Sequence, residues 1–302
     1  MNNYFRVVAG IILLQLVSCL PEPVNKSQTY QNIIILSDLS DRVEPLINGV
    51  FPNQQYPPKD EEEIKNILRF FKDECVKPGE KIGDKSSILF STFSTESVAS
   101  IDIDKIKDLG SKQQFINSTG KYENNGLNQA IEEFNKKVQN AYRNIRNPGL
   151  DLLSVMVDKV ENGKLIKENK VLTNGVDTTF INFDNHIYIF TDGYLEYKGK
   201  NSNSQFYFGI NEIEQIRKYC TAQNVDIKTA LDKNRSFCLP RIENNIYQFV
   251  NLHVLETHER DKDVQLQKYI NPRGLRDNEI LREVWRKWAV ESGFKSFEWR
   301  KY

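Results

Sequence analysis

Four residues constrain this fold more than any others: Ile33-Ile34-Ile35-Leu36, an unbroken apolar run ending at Ser37-Asp38. Alternating polarity would mark a strand with one wet face, whereas a continuous β-branched run marks a strand buried on both faces, as in a parallel sheet. A second run, Ile187-Tyr188-Ile189-Phe190-Thr191, delivers Asp192-Gly193 at its end, and a third occupies 249–255. Between the runs, apolar residues recur at helical intervals: Ile64, Ile67, Leu68 and Phe71, then Leu127, Ile131, Phe134, Val138 and Tyr142. Ile213, Ile216, Tyr219 and Cys220 repeat the pattern, as do Ile280, Leu281, Val284, Trp285 and Trp288. This alternation predicts an α/β fold of three layers, with a mostly parallel central sheet, helices on both faces and right-handed crossovers.

Shorter signals fill the intervals. Asp60 and Glu63 have the spacing of a capping box at a helix start. The stretches 88–93 and 98–101 read as a hairpin across a Ser-Thr-Glu-Ser turn. Val155-Met156-Val157 and Lys170-Val171-Leu172 flank Asn162-Gly163, a favoured two-residue turn, and predict a second inserted hairpin. The aromatics around Tyr194-Leu195-Glu196-Tyr197 and Phe206-Tyr207-Phe208 read either as a packed hairpin or as exposed anchors of an interface.

The first residues carry an address. Arg6 precedes an apolar stretch, 7–14, that is too short to span a bilayer and has the layout of a secretory signal. Leu16-Val17-Ser18-Cys19 resembles the lipobox of bacterial lipoproteins, which implies cleavage before Cys19 and lipidation of its thiol. The expected organisation is a signal peptide over 1–18, a Pro-containing polar tether over 19–31 and one domain over 32–302. The expected location is the bacterial cell envelope, at the outer membrane in a Gram-negative cell, with the membrane as one partner through the Cys19 lipid. With 41 basic and 41 acidic residues the net charge is zero, and no basic face marks a nucleic-acid partner. Of the remaining cysteines, Cys220 and Cys238 are candidates for a disulfide, while Cys75 reads as a buried thiol.

In open α/β sheets, ligands bind beyond the carboxyl ends of strands where the strand order reverses. Two polar groups fall at such ends: Asp38-Leu39-Ser40-Asp41-Arg42 and Asp192-Gly193. Carboxylates and hydroxyls there suit a hard divalent cation. Each aspartate taken singly also reads as a helix cap.

Taken together, the sequence resembles a von Willebrand factor A domain over about 33 to 295. Asp38-x-Ser40-x-Arg42 is similar to the Asp-x-Ser-x-Ser start of that family's metal-ion-dependent adhesion site, and Thr191-Asp192-Gly193 to its late aspartate motif. The stretch from Glu123 to Ile131, with Asn125 where the family carries threonine, resembles the middle loop. The resemblance implies a Mg2+ site built by Asp38, Ser40, Asn125 and Asp192, with Asp41, Arg42 and Gly193 beside it. Arg42 departs from the pattern. A cation within about 5 Å of a divalent ion is repelled by several kcal/mol at an effective dielectric near 20. Its guanidinium either points away or replaces the metal by pairing with Asp38 or Asp192.

The implied function is adhesion or assembly, docking a protein or surface glycan through a metal completed by an acidic group of the partner, with no catalytic residues. A metal-dependent, phosphoesterase-like hydrolase is the alternative, but no His-Glu-x-x-His, Gly-x-Ser-x-Gly or phosphate-binding glycine loop supports it. A structural envelope protein with a decayed metal site is a third reading.

Overall fold

The computed structural model describes residues 25–38, 56–79, 83–92, 97–143, 151–173, 177–196, 205–263, 266–270 and 274–302. The chain gathers into two compact units, residues 30–168 with 183–302, and residues 1–29 with 169–182.

The larger unit is the expected three-layer α/β arrangement, of the von Willebrand A or Rossmann-like kind. Its sheet runs in the order β3 (Ala99–Asp102), β2 (Ser87–Ser91), β1 (Asn25–Ser37), β5 (Thr178–Thr191), β6 (Val250–Glu256) and β9 (Ser296–Lys301). The β1–β2, β5–β6 and β6–β9 pairs are parallel, while the edge strand β3 is antiparallel to β2. The apolar run of β1 divides by its two-residue period. Ile33 and Ile35 pack on the layer of α1 (Tyr56–Phe70), α2 (Leu109–Asn117) and α3 (Leu127–Arg143). Ile34 and Leu36 pack on the layer of α4 (Leu152–Glu161), α5 (Ile210–Gln223), α6 (Ile227–Lys233) and α7 (Asp277–Glu291). Both faces of the strand are thus dry, as its composition requires.

Three expectations are corrected. Val155, Met156 and Val157 lie in α4, not in a hairpin. Asp151 caps that helix by accepting from Ser154 N at 3.2 Å, and Leu152, Leu153, Met156 and Val160 make its buried face. Asn162 ends the helix, so the favoured turn pair serves as a helix stop. Asp60 does not start a helix, because α1 already begins at Tyr56. Its buried carboxylate accepts instead from the hydroxyls of Tyr142, at 3.0 Å, and Tyr302. Cys220 and Cys238 do not pair; Cys75, Cys220 and Cys238 are all free thiols. Burial pushes the Cys75 thiol up to about 12.

The 88–101 hairpin is observed as β2 and β3. Leu195 and Phe208 form an antiparallel bridge, with Tyr194, Leu195, Phe206 and Phe208 all buried, so these aromatics are packing rather than open anchors. Strand β9, helices α2 and α6, and the short antiparallel pair β7 (Lys262–Asp263) and β8 (Lys268–Tyr269) had no expectation attached.

In the smaller unit, β4 (Lys170–Thr173) pairs antiparallel with the first residues of β5, placing Val171 opposite Phe180. Residues 25–31, read from sequence as tether, are the opening of β1. Asn182 Nδ2 donates to Ser27 Oγ at 3.0 Å. No helix among the described residues is long and apolar enough to cross a membrane.

Candidate functional site

The order of the sheet reverses between β1 and β5. From β1 the chain works outward through β2 to β3, and from β5 outward through β6 to β9. Asp38 and Asp192 stand at the carboxyl ends of these two neighbours. Asp38 N donates to Phe190 O at 2.9 Å, and Thr257 N to Thr191 O at 3.0 Å, so three strand ends form one rim. Gly193 turns the chain there with φ +90°, and a Cβ on it would lie 2.5 Å from Trp299 Cη2. Trp285 Nε1 donates to the Gly193 carbonyl at 2.8 Å and fixes the turn against α7. Glycine is the residue that this backbone and this ring allow.

The Asp192 carboxylate, 2% exposed, is already engaged. Oδ1 accepts from Tyr194 N at 3.1 Å, and Oδ2 accepts from Arg260 Nε at 2.6 Å. Arg260 reaches on to Glu196 Oε2 at 3.1 Å, and its guanidinium lies 4.2 Å from the centre of the Tyr194 ring. His258 Nε2 stands 3.8 Å from Asp192 Oδ2. Burial works against the Arg260 charge, but Asp192, and then Glu196, override it and hold the guanidinium above its ordinary value. Behind this pair, Tyr194 donates its hydroxyl to Asp277 Oδ2 at 2.5 Å, and Arg217 binds Asp277 and Glu214. Burial, with the Asp277 carboxylate beside it, pushes the Tyr194 hydroxyl up, keeping it a donor at any physiological pH.

Of the residues expected to hold Mg2+, Ser40 lies outside the described residues, as do its neighbours Asp41 and Arg42 and the lipid-bearing Cys19. Asn125 is exposed in the turn ahead of α3. The opposite end of that helix carries Tyr142, whose hydroxyl lies 2.7 Å from Ser37 Oγ at the end of β1. At 1.5 Å per residue, Leu127 and Tyr142 are about 22 Å apart along the axis, which sets Asn125 far from the rim. The described residues therefore do not fit a divalent metal: one expected ligand is remote, and another is bound by a guanidinium. No group of three or more His, Cys, Asp or Glu residues among the described residues converges on a metal position. A guanidinium does meet Asp192, as considered for Arg42, but it belongs to Arg260.

A second polar group lies on the α1 to α3 face of the same strands. Asp184 Oδ2, His186 Nε2 and Nδ1, His253 Nε2 and Nδ1, and Glu298 Oε2 form a row with contacts of 3.1, 3.0 and 2.7 Å. Tyr188 stacks on His253 with centroids 4.5 Å apart. Burial holds His186 below the ordinary histidine range, with His253 adding to that effect and Asp184 opposing it.

Sequence reasoning missed Arg260, Glu196 and the histidine pair. Arg260 follows β6 in the chain, and only the β5–β6 pairing brings it to Asp192. His253 is registered against Tyr188, two residues beyond His186, and that register is invisible before the strands are paired. Comparison with known protein families and with curated proteins finds no match for this chain.

Proposed function

We propose that this chain is a lipid-anchored binding module of the bacterial cell envelope, built on a von Willebrand A-type domain, that docks another envelope protein through the carboxyl rim of its sheet. One observation carries the reading: the two aspartates of separated motifs, Asp38 and Asp192, end adjacent strands at the point where strand order reverses. That crevice is where open α/β sheets take ligands. The signal layout and the Cys19 lipobox support export and anchoring. In this reading Arg260 supplies at Asp192 the positive charge that a divalent ion would supply in a metal-dependent relative, and the partner meets a preformed ion-pair surface of Asp192, Arg260 and Glu196.

The test is a photo-crosslinking residue placed at Tyr207, next to the buried bridge residue Phe208, with the same residue at half-buried Lys159 on α4 as control. A discrete crosslinked species from position 207 in intact cells, absent from position 159, is expected. Its absence from 207, or its presence from both, overturns the proposed docking face. Purified chain is expected to show no metal-dependent phosphoesterase activity above an Asp38→Ala control.

A further inference from the structure

The exposed large apolar residues of the described chain mostly stand singly on separate elements, as on any protein surface. The β4–β5 hairpin departs from this. Val171 is 61% exposed, Leu172 54% and Phe180 41%, and Val171 faces Phe180 directly across the ladder. All four residues of β4 are exposed. The charged groups in the described part of this unit are Lys26, Lys170 and Asp177, a small cationic excess.

We propose that this hairpin rests in the lipid surface, a second point of contact with the membrane beside the anchor. The inference depends on the Cys19 anchor proposed above. From Cys19 to Ser27 is eight residues, at most about 28 Å of extended chain. Ser27 is bonded to Asn182, in the same strand as Phe180 and one residue past Ile181, the partner of Lys170. Acyl chains on Cys19 therefore hold the hairpin within a short reach of the bilayer. A second copy of the chain fits the patch less well. Val171 and Phe180 share one face of the hairpin and Leu172 stands on the other, so neither face exposes more than roughly 200 Å2, well short of the ~800 Å2 per partner that a stable dimer buries, whereas a hairpin end set into lipid buries both faces. A lipid interface asks for no shape complementarity, and a few apolar side chains beside lysines partition into it. The acyl chains carry the attachment, and the hairpin adds apolar contact beside them.

The test uses the full acylated protein in vesicles of phosphatidylcholine with a minority of phosphatidylglycerol. Leu172→Trp provides the probe, read against the native tryptophans, with lipids brominated along the chain as quencher. Position 172 is expected to be quenched at least about twofold beyond the wild-type background. Adding Val171→Asp and Phe180→Asp is expected to abolish that quenching while the protein still floats with the vesicles and keeps its melting temperature. Protein that floats with position 172 unquenched overturns the hairpin proposal and leaves the anchor standing. Dimerisation that Val171→Asp breaks, with no quenching, overturns it in favour of self-association. Incorporation of labelled palmitate at Cys19 is read separately; a chain that takes up no label removes the anchor and the hairpin proposal together.

Discussion

Strand β5 carries one carboxylate near its middle and is followed by another, and the two are neutralised in different ways. Near its middle, Asp184 belongs to a row completed by two imidazoles and Glu298, whereas at its end Asp192 is held by the guanidinium of Arg260. An arginine stays charged across the whole biological range, so the rim is a fixed electrostatic feature. Histidine is the side chain that titrates nearest this range, and burial holds His186 below its ordinary value, so the row is conditional. One strand thus carries a permanent ion pair at the proposed docking edge and a titratable one on its buried face.

The largest expected effect breaks the permanent pair. Arg260→Ala removes from the buried Asp192 carboxylate the guanidinium that it binds, and a loss of about 3 kcal/mol is expected in urea unfolding. Adding Asp192→Asn removes the stranded charge and is expected to restore most of that loss. A double variant no better than the single would show that Arg260 acts through packing on Tyr194 rather than through Asp192.

Next comes the turn that shapes the same rim. Gly193→Ala places a Cβ against Trp299 at a positive φ, and a cost of about 2 kcal/mol is expected, read as a lower melting temperature. An unchanged melting temperature would mean that Trp299 yields freely.

A smaller effect separates the two ends of the comparison by pH. Because the folded state holds His186 below its ordinary value, unfolding takes up a proton as pH falls beneath about 6.5. Stability is therefore full above that pH and declines through the window below it. Lys295, Asp184, Glu298, Arg300 and Glu63 surround the row, and Asp184, which Lys295 and His186 hold charged, softens the decline. His253→Gln is expected to flatten the melting-temperature profile between pH 7 and 5. A profile of unchanged slope would place the acid sensitivity elsewhere.

The smallest expected effect is none at all. Millimolar Mg2+ or Mn2+ should leave the melting temperature where it is, since a folded-state site would raise it by linkage. A clear rise would return Ser40 and a metal to the rim.

The sheet was legible because its strands announce themselves: Ile33 to Leu36 and Ile187 to Thr191 have no other stable use than burial on both faces. Their terminal aspartates were legible for the same reason, since a strand fixes where its next residue stands. The α4 helix was misread because Val-Met-Val suits a strand, and only Leu152, Leu153 and Val160 together reveal the helical face. Asn125 was misplaced by local likeness to a motif whose position depends on which way the following helix runs. Arg260, His253 and Glu298 were beyond reach, since each acquires its partner through strand pairing across long sequence separations.

The three unpaired thiols have a consequence for where the chain matures. Disulfide exchange proceeds through the thiolate, and burial raises all three groups, Cys75 to about 12. At neutral pH Cys75 is held as the thiol, the form that does not attack a disulfide. None of the three thiols is therefore a ready partner for exchange, and the folded core that holds them contains no bond that an oxidant must make.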